Sequence, residues 1–262
     1  MTAARHGAGD FSVHAYGELD STNEEMKRLA AAGKAGHGSV VRADVQTAGR
    51  GRRGRVWVSK PGNLYCSFLL LPRRSLNQSA QLSFVMAVAV ADALEKITGG
   101  DRAVTGKWPN DVLLRGRKIA GILLETVSVN PEGEESEGIV AGLGVNIAHY
   151  PEDTAYPATS LEACGIEGQT PETVLRGVCA AFAPLYGSWL GDGFEPVRAA
   201  WLERAAGLGE TIRVRFGEED LSGVFEGLDG SGALLLLEDD GNRRQITAGD
   251  VYFADTALQR AS

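Results

Sequence analysis

The sequence predicts an α+β chain, with a mixed β-sheet domain and flanking helices over residues 12–206 and a small β-barrel over 207–262. Three observations carry this. Strand-length apolar runs and helix-length periodic runs are interleaved up to Ala206. From Gly209 onward the pattern becomes short β-branched or leucine-rich runs split by Asp229-Gly230-Ser231-Gly232 and Asp239-Asp240-Gly241-Asn242, which are hairpin turn signals. A length of 262 residues is enough for one large and one small core.

The elements follow in order. Ser21-Thr22-Asn23-Glu24 is a hydroxyl cap with a glutamate three residues on, so a capping box should start a helix through Met26, Leu29 and Ala30 that stops at Gly33. Ser39 to Val45 is β-branched and partly alternating, a strand that feeds an arginine–glycine loop. Leu64 to Leu71 is a second strand, ended by Pro72. Gln78 to Ile97 reads as the longest helix, closed by Gly99-Gly100. Val104 to Trp108, Val112 to Leu114 and Lys118 to Val129 read as strands joined by tight turns, followed by an acidic loop over Pro131 to Glu137 and a buried strand over Gly138 to Ile147. His149 to Pro171 is rich in turn residues, and helices are expected near Glu172–Gly187 and Pro196–Ala206. In the barrel, strands fall at Thr211–Phe216, Leu221–Leu228, Ala233–Glu238 and Arg243–Thr247.

Charge and cysteine usage narrow the function. The net charge is -8, with 44% hydrophobic and 23% charged residues, and the pI is near 5.1. An acidic chain argues against a general nucleic-acid or anionic-membrane binder, which needs a net basic face. Cys66, Cys164 and Cys179 are scattered, without CxxC spacing, so they read as reduced thiols of a cytoplasmic protein. His6, His14, His37 and His149 show no metal-ligand spacing. Met1 to Gly9 lack the apolar core of a signal peptide, and the apolar run Leu82–Leu94 is too short to span a bilayer.

Against that acidic background, Gly49-Arg50-Gly51-Arg52-Arg53-Gly54-Arg55 stands out, with Val56-Trp57 after it. Arginine presents a permanent planar fork of donors that fits carboxylate and phosphate, and glycine allows close backbone approach. The segment reads as a mobile clamp for one small polyanion; the alternative is a solvated basic loop, which Trp57 argues against because a ring there can cover a ligand or pack the loop down. In Lys107-Trp108-Pro109-Asn110-Asp111, Pro109 stops a strand and leaves an amide and a carboxylate at its end. The carboxylate suits Mg²⁺, which binds one or two carboxylates plus substrate phosphates; the same residues also make an ordinary Asx turn. Lys118 opens an apolar strand, either as an edge residue with its head in water or as a point charge aimed at a phosphate. Ala120-Gly121 is small enough for a ligand or another backbone to come close. Gly142-Leu143-Gly144-Val145-Asn146 places one asparagine in an apolar run, where it must find partners. No GxxxxGK[ST] is present, so a P-loop is not supported.

Taken in order, Asp20-Ser21-Thr22-Asn23, Gln46 to Trp57, Lys107 to Asp111, Lys118-Ile119-Ala120-Gly121-Ile122-Leu123-Leu124-Glu125 and Gly142 to Ile147 resemble the biotin protein ligase family over about residues 14 to 254. The resemblance implies a catalytic biotin/ATP-binding domain of the class II synthetase-like biotin/lipoate ligase fold, followed by a Src-homology-3-type barrel. It implies that biotin and ATP form biotinyl-5'-AMP and pyrophosphate, with Mg²⁺, and that biotin then passes to one lysine of a biotin carboxyl carrier domain of a biotin-dependent carboxylase. By position, Ser21, Thr22, Asn23, Gln46, Arg50, Gly51, Arg52 and Lys118 match biotin-binding residues. Arg52, Arg55, Trp57, Asn110, Asp111, Lys118 and Asn146 match the ATP and adenylate side. Lys118 and Arg52 match catalytic positions, and Asp111 is the candidate for Mg²⁺ through the ATP phosphates.

Two features depart from parts of that family. Only about a dozen residues precede the match, too few for the N-terminal DNA-binding domain that some members carry. The segment Ala155 to Leu161 lacks a tryptophan that some members place over adenine, a place Tyr156 could take. The expectation is therefore a monofunctional ligase, monomer or weak homodimer, without nucleic-acid or membrane partners. Lipoate–protein ligase shares the fold and the adenylation logic, but would carry a different signature from Gly49–Arg55. A nucleic-acid-binding module fits poorly, because the barrel strands lack interleaved aromatics.

Overall fold

The computed structural model describes residues 4–5, 11–100, 103–129, 136–152, 154, 156–216 and 219–253. Its larger sheet is built from β1 (Ala4–Arg5), β2 (Ser12–Leu19), β3 (Ser39–Gln46), β4 (Leu64–Leu70), β5 (Val104–Lys107), β6 (Asp111–Leu114), β7 (Arg117–Val129) and β8 (Ser136–Val145), in the order β1-β2-β3-β4-β8-β7-β6-β5. The β2–β3 pair is parallel and the other pairs antiparallel. A parallel pair needs a crossover, which α1 (Thr22–Ala31) supplies.

β4 shows how the sheet divides its faces. Strand side chains alternate, and Leu64, Cys66, Phe68 and Leu70 enter the main core with the helices α3 (Leu82–Ile97), α4 (Pro171–Asp192) and α5 (Glu195–Leu202). Leu69 faces the other way, packing with Met26, Leu29 and Ala30 of α1 and with Val41, Val127 and Val140. α3 is apolar nearly all round because it lies between the sheet, α4 and α5. The five-stranded antiparallel C-terminal sheet comprises β9 (Thr211–Phe216), β10 (Glu219–Leu228), β11 (Leu234–Leu237), β12 (Arg243–Ile246) and β13 (Asp250–Phe253), in the order β12-β11-β10-β9-β13. Its Val214, Phe225, Leu234 and Val251 join the main core, and the Trp108 indole donates to the Gly232 carbonyl at 3.1 Å. The result is the α+β chain the sequence predicts.

Several local expectations change. The capping box at α1 does not form: the Ser21 side chain makes no cap bond, the Thr22 N–H donates instead to Gln46 Oε1 at 2.9 Å, and Glu24 turns to Lys27 and Arg50. A side chain from the neighbouring strand has taken over the cap. The Gln78–Ile97 helix is split into α2 (Leu76–Ser79) and α3, with Gln81 between them held by the Trp189 indole and the Gly230 carbonyl. The longest helix is α4, which runs through Pro184 and past Gly187 to Asp192. β1, β2 and β13 are additional to the strands expected from the sequence. The acidic loop expected over Pro131–Glu137 lies outside the described residues except for its last two positions, which belong to β8. No helix among the described residues is long and apolar enough to cross a membrane.

Candidate active site

The positions singled out in the sequence converge on one cavity of about 380 Å³. Ser21, Thr22, Asn23, Gln46, Arg50, Gly51, Arg52, Arg55, Trp57, Asn110, Asp111, Lys118 and Asn146 all line it. Three glycines open its floor, beside Leu123 and Ser67. Gly121 on β7 pairs with Gly144 on β8, while Gly142 pairs with Leu123 on one side and Ser67 of β4 on the other. A Cβ on Gly144 would stand 2.5 Å from the Trp57 ring, one on Gly121 3.0 Å from it, and one on Gly142 would collide with the Asn23 amide oxygen. The glycines therefore serve to let the α1 N-terminus and the arginine–glycine loop lie down on the sheet.

That loop is folded as a short hairpin over the sheet. Arg50 bridges Val56, the Gly51 N–H donates to the Arg55 carbonyl at 2.7 Å, and the Trp57 N–H donates to the Gly49 carbonyl at 2.9 Å. Arg53 takes φ 55° and Gly54 φ 73° at its tip. The four arginines have different fates. Arg50 pairs with Glu24 of α1 and with Glu125 of β7. Arg53 and Arg55 pair with Asp250 of β13. Arg52 turns inward, donating to Asn110 Oδ1 at 3.1 Å and to the Gly249 carbonyl at 3.4 Å. Among the described residues it is the one arginine of the loop with no carboxylate at ion-pair distance. Burial pulls its pKa below the ordinary arginine value.

One end of the cavity is neutral. Ser21, Thr22, Asn23 and Ser67 are buried there. Ser67 Oγ lies 2.8 Å from Thr22 Oγ1 and 2.5 Å from Asn23 Oδ1, Thr22 donates to Gln46 Oε1, and Gln46 Nε2 donates to Ser59 Oγ at 3.0 Å. Asn23 Nδ2 donates to Glu125 at 2.6 Å. The amides are thus held in fixed orientations.

The other end is cationic. The β5–β6 hairpin sets Lys107 opposite Asp111. Asp111 lies 2.6 Å from Lys118 Nζ and 3.6 Å from Lys107 Nζ. The backbone of Lys118 is gripped by the Pro157 carbonyl and the Thr159 N–H, which fixes where its side chain starts. Its ammonium lies 5.4 Å from the Trp57 ring centre, a cation–π contact. Lys107 is 6% exposed; burial lowers its pKa, with Asp111 opposing the shift. Asn110 Nδ2 is spent on the Ile122 carbonyl, and Asn146 Nδ2 on the Thr159 carbonyl. Tyr156 hydrogen-bonds the Gly116 carbonyl and accepts the Lys107 ammonium over its ring at 4.6 Å. Among the described residues the buried Trp57 indole N–H has no acceptor.

Lys107, Ser67, Glu125, Asp250 and Tyr252 stand at or beside the cavity without a role expected from the sequence. Lys107 and Glu125 stand inside recognised motifs, so their placement was available. Asp250 carries no local signal, because it reaches the cavity only through contact between the two sheets. No group of three or more His, Cys, Asp or Glu side chains able to hold a metal occurs among the described residues. Asp111 offers one hard oxygen donor, which fits Mg²⁺ only when phosphates supply most of the remaining ligands.

The matched families define the class as biotin/lipoate ligases. The Biotin/lipoate A/B protein ligase family matches residues 18–146, and the Biotin protein ligase C terminal domain matches residues 207–254. The chain is 43% identical over 239 residues to a biotin--[acetyl-CoA-carboxylase] ligase of Paracoccus denitrificans, covering 89% of this chain and 97% of that protein. It is 31% identical over 251 residues to the Mycobacterium tuberculosis protein of the same name, covering 94% and 90%. The biotin protein ligase of Aquifex aeolicus, solved with biotin and ATP, superposes with a TM-score of 0.78 at 30% identity, covering 92% of this chain and 97% of that one. The chain belongs to the biotin protein ligase family.

Proposed function

We propose that this protein activates biotin with ATP as biotinyl-5'-AMP and transfers the biotin to a lysine of a biotin carboxyl carrier domain. The observation that carries the reading is the direct junction, inside one cavity, of a neutral amide-and-hydroxyl end with an end holding Arg52, Lys107 and Lys118, the two lysines on the carboxylate of Asp111. The neutral end suits the ureido ring of biotin, which needs both donors and acceptors. The cationic end suits a triphosphate.

In the first step the biotin carboxylate attacks the α-phosphorus, a new P–O bond forms, and pyrophosphate leaves. Two anions must meet, so repulsion is the main obstacle. Arg52 and Lys118 are preorganised to neutralise them and to stabilise charge on the phosphoryl oxygens. Asp111 is the residue to hold Mg²⁺ against the phosphates, where the ion would supply further charge neutralisation. Trp57 and Tyr156 are the aromatic candidates on the nucleotide side, and Asn146 forms part of the adenylate wall. In the second step an acceptor lysine amine attacks the acyl carbon and AMP leaves, while the loop excludes water. Residues 12–206 act as the catalytic domain and 207–262 as a C-terminal domain that supports the loop through Asp250.

Biotin-dependent ATP–pyrophosphate exchange tests the reading. Exchange with biotin and not with lipoate is expected. Exchange that requires lipoate would make the protein a lipoate ligase, and no exchange with either acid would remove the ligase reading.

A further inference from the structure

The Lys118 strand motif ends on Glu125, which has no part in the steps described above. Glu125 lies on the floor face of β7, and its carboxylate meets three groups from two other elements. Asn23 Nδ2 donates to it at 2.6 Å, Lys27 Nζ lies 3.0 Å away, and Arg50 NH2 lies 3.4 Å from both oxygens. Lys27 also reaches Glu24 at 3.0 Å, and Glu24 pairs with Arg50 in turn. Two carboxylates and two cations thus close a ring that joins the sheet, α1 and the first arginine of the loop.

We infer that Glu125 is a positioning residue that couples the biotin end of the cavity to loop closure, by orienting the Asn23 amide and holding Arg50 at the same time. The inference rests on the ligase reading above. The two tasks use different properties of one side chain. Holding Asn23 Nδ2 requires an acceptor oxygen; with Ser67 on the Asn23 oxygen, it decides which way the amide faces. Holding Arg50 against Lys27 requires a negative charge. With Arg50 lifted away, Glu24, Glu125 and Lys27 would keep an unbalanced negative charge at the loop hinge, so closure and charge balance arrive together. Asn23 connects onward through Ser67 and Thr22, whose backbone N–H donates to Gln46, and through Ser59 to the Trp57 carbonyl, so one hydrogen-bonded chain runs from Glu125 to the far side of the loop.

Two variants separate the tasks. Glu125→Gln keeps an acceptor for Asn23 and removes the charge; Glu125→Ala removes both. In the full-length protein, Glu125→Ala should raise the biotin KM in pyrophosphate exchange about tenfold, the scale of a lost hydrogen bond to a charged group, with the ATP KM nearly unchanged. Glu125→Gln should leave the biotin KM within about threefold yet speed escape of biotinyl-5'-AMP, read as labelling of a bystander protein, by about fivefold for one lost exposed ion pair. Thermal melts check folding, and if the alanine variant does not fold, the glutamine variant's escape rate decides alone. Equal shifts in biotin and ATP KM, or wild-type escape from the glutamine variant, overturn the inference. Absence of exchange in the wild type would instead fault the ligase reading.

Discussion

The two ends of the cavity are built by opposite rules. At the neutral end Thr22, Asn23, Gln46 and Ser67 are hydrogen-bonded to one another before any ligand arrives. At the cationic end Lys107 and Lys118 share the Asp111 carboxylate, Arg52 beside them donates to Asn110 without an ion-pair partner, and surplus positive charge is left. The first end is a finished mould, complementary to a neutral ring of fixed shape. The second is an unbalanced field, complementary to anions that have yet to enter. A cavity that must hold a neutral ring and drive two anions together needs both, and the glycines of the floor let α1 and the loop lie down side by side over it.

If the ends are separable, substitutions at each should affect different parameters. The largest effect belongs to Lys118→Ala: about 10²–10³ off the exchange rate at saturating biotin, the usual loss for one preorganised electrostatic donor. An unchanged rate would remove Lys118 from catalysis and collapse the distinction. Next comes Gly142→Ala. Its new Cβ collides with the Asn23 amide oxygen, and overpacking on that scale should raise the biotin KM about tenfold while sparing the ATP KM. A parallel rise in both would show that the mould extends under the nucleotide.

The smallest effect concerns the loop's outer end. Burial pushes the Asp250 carboxyl up, but the hydrogen bond from Arg55 and the charges of Arg55, Arg53 and Arg52 more than offset this, leaving it below the ordinary carboxylate value. A depressed carboxyl contributes docking energy that is present above its unfolded pKa and lost as pH falls through the folded one. Contact between loop and barrel should therefore hold across neutral pH and fail only in acid, below about pH 4. Protease cleavage at Arg53 or Arg55 should rise over the same acid range in a pH-tolerant assay, and Asp250→Asn should show increased cleavage already at neutral pH. Cleavage independent of both would detach Asp250 from the loop.

Much of this contrast was legible in the sequence, because the residues that make it are chemically extreme. Arginines beside glycines, an Asn-Asp after proline and a lysine opening an apolar strand are local signals, and they meet in one cavity. What could not be read was set by register and by contact between elements. Glycines in Gly142-Leu143-Gly144 have no visible purpose until Trp57 and Asn23 are seen lying on them. The α1 cap depends on Gln46, which reaches it from β3 and does the work expected of Ser21. β2 went unseen because its outer side is polar and half exposed, which blurs the alternation. The destinations of the loop arginines are likewise invisible along the chain: Arg55 and Asp250 are partners only because the C-terminal sheet packs beside the loop.

The claim that recognition and activation are held by different ends is tested most directly by calorimetric titration of biotin, without ATP, into Lys118→Ala and Gly142→Ala proteins. Biotin affinity should stay within a few-fold of wild type for the lysine variant, whose exchange activity is lost, and binding should be about tenfold weaker for the glycine variant. Equal loss of biotin affinity in both would contradict it.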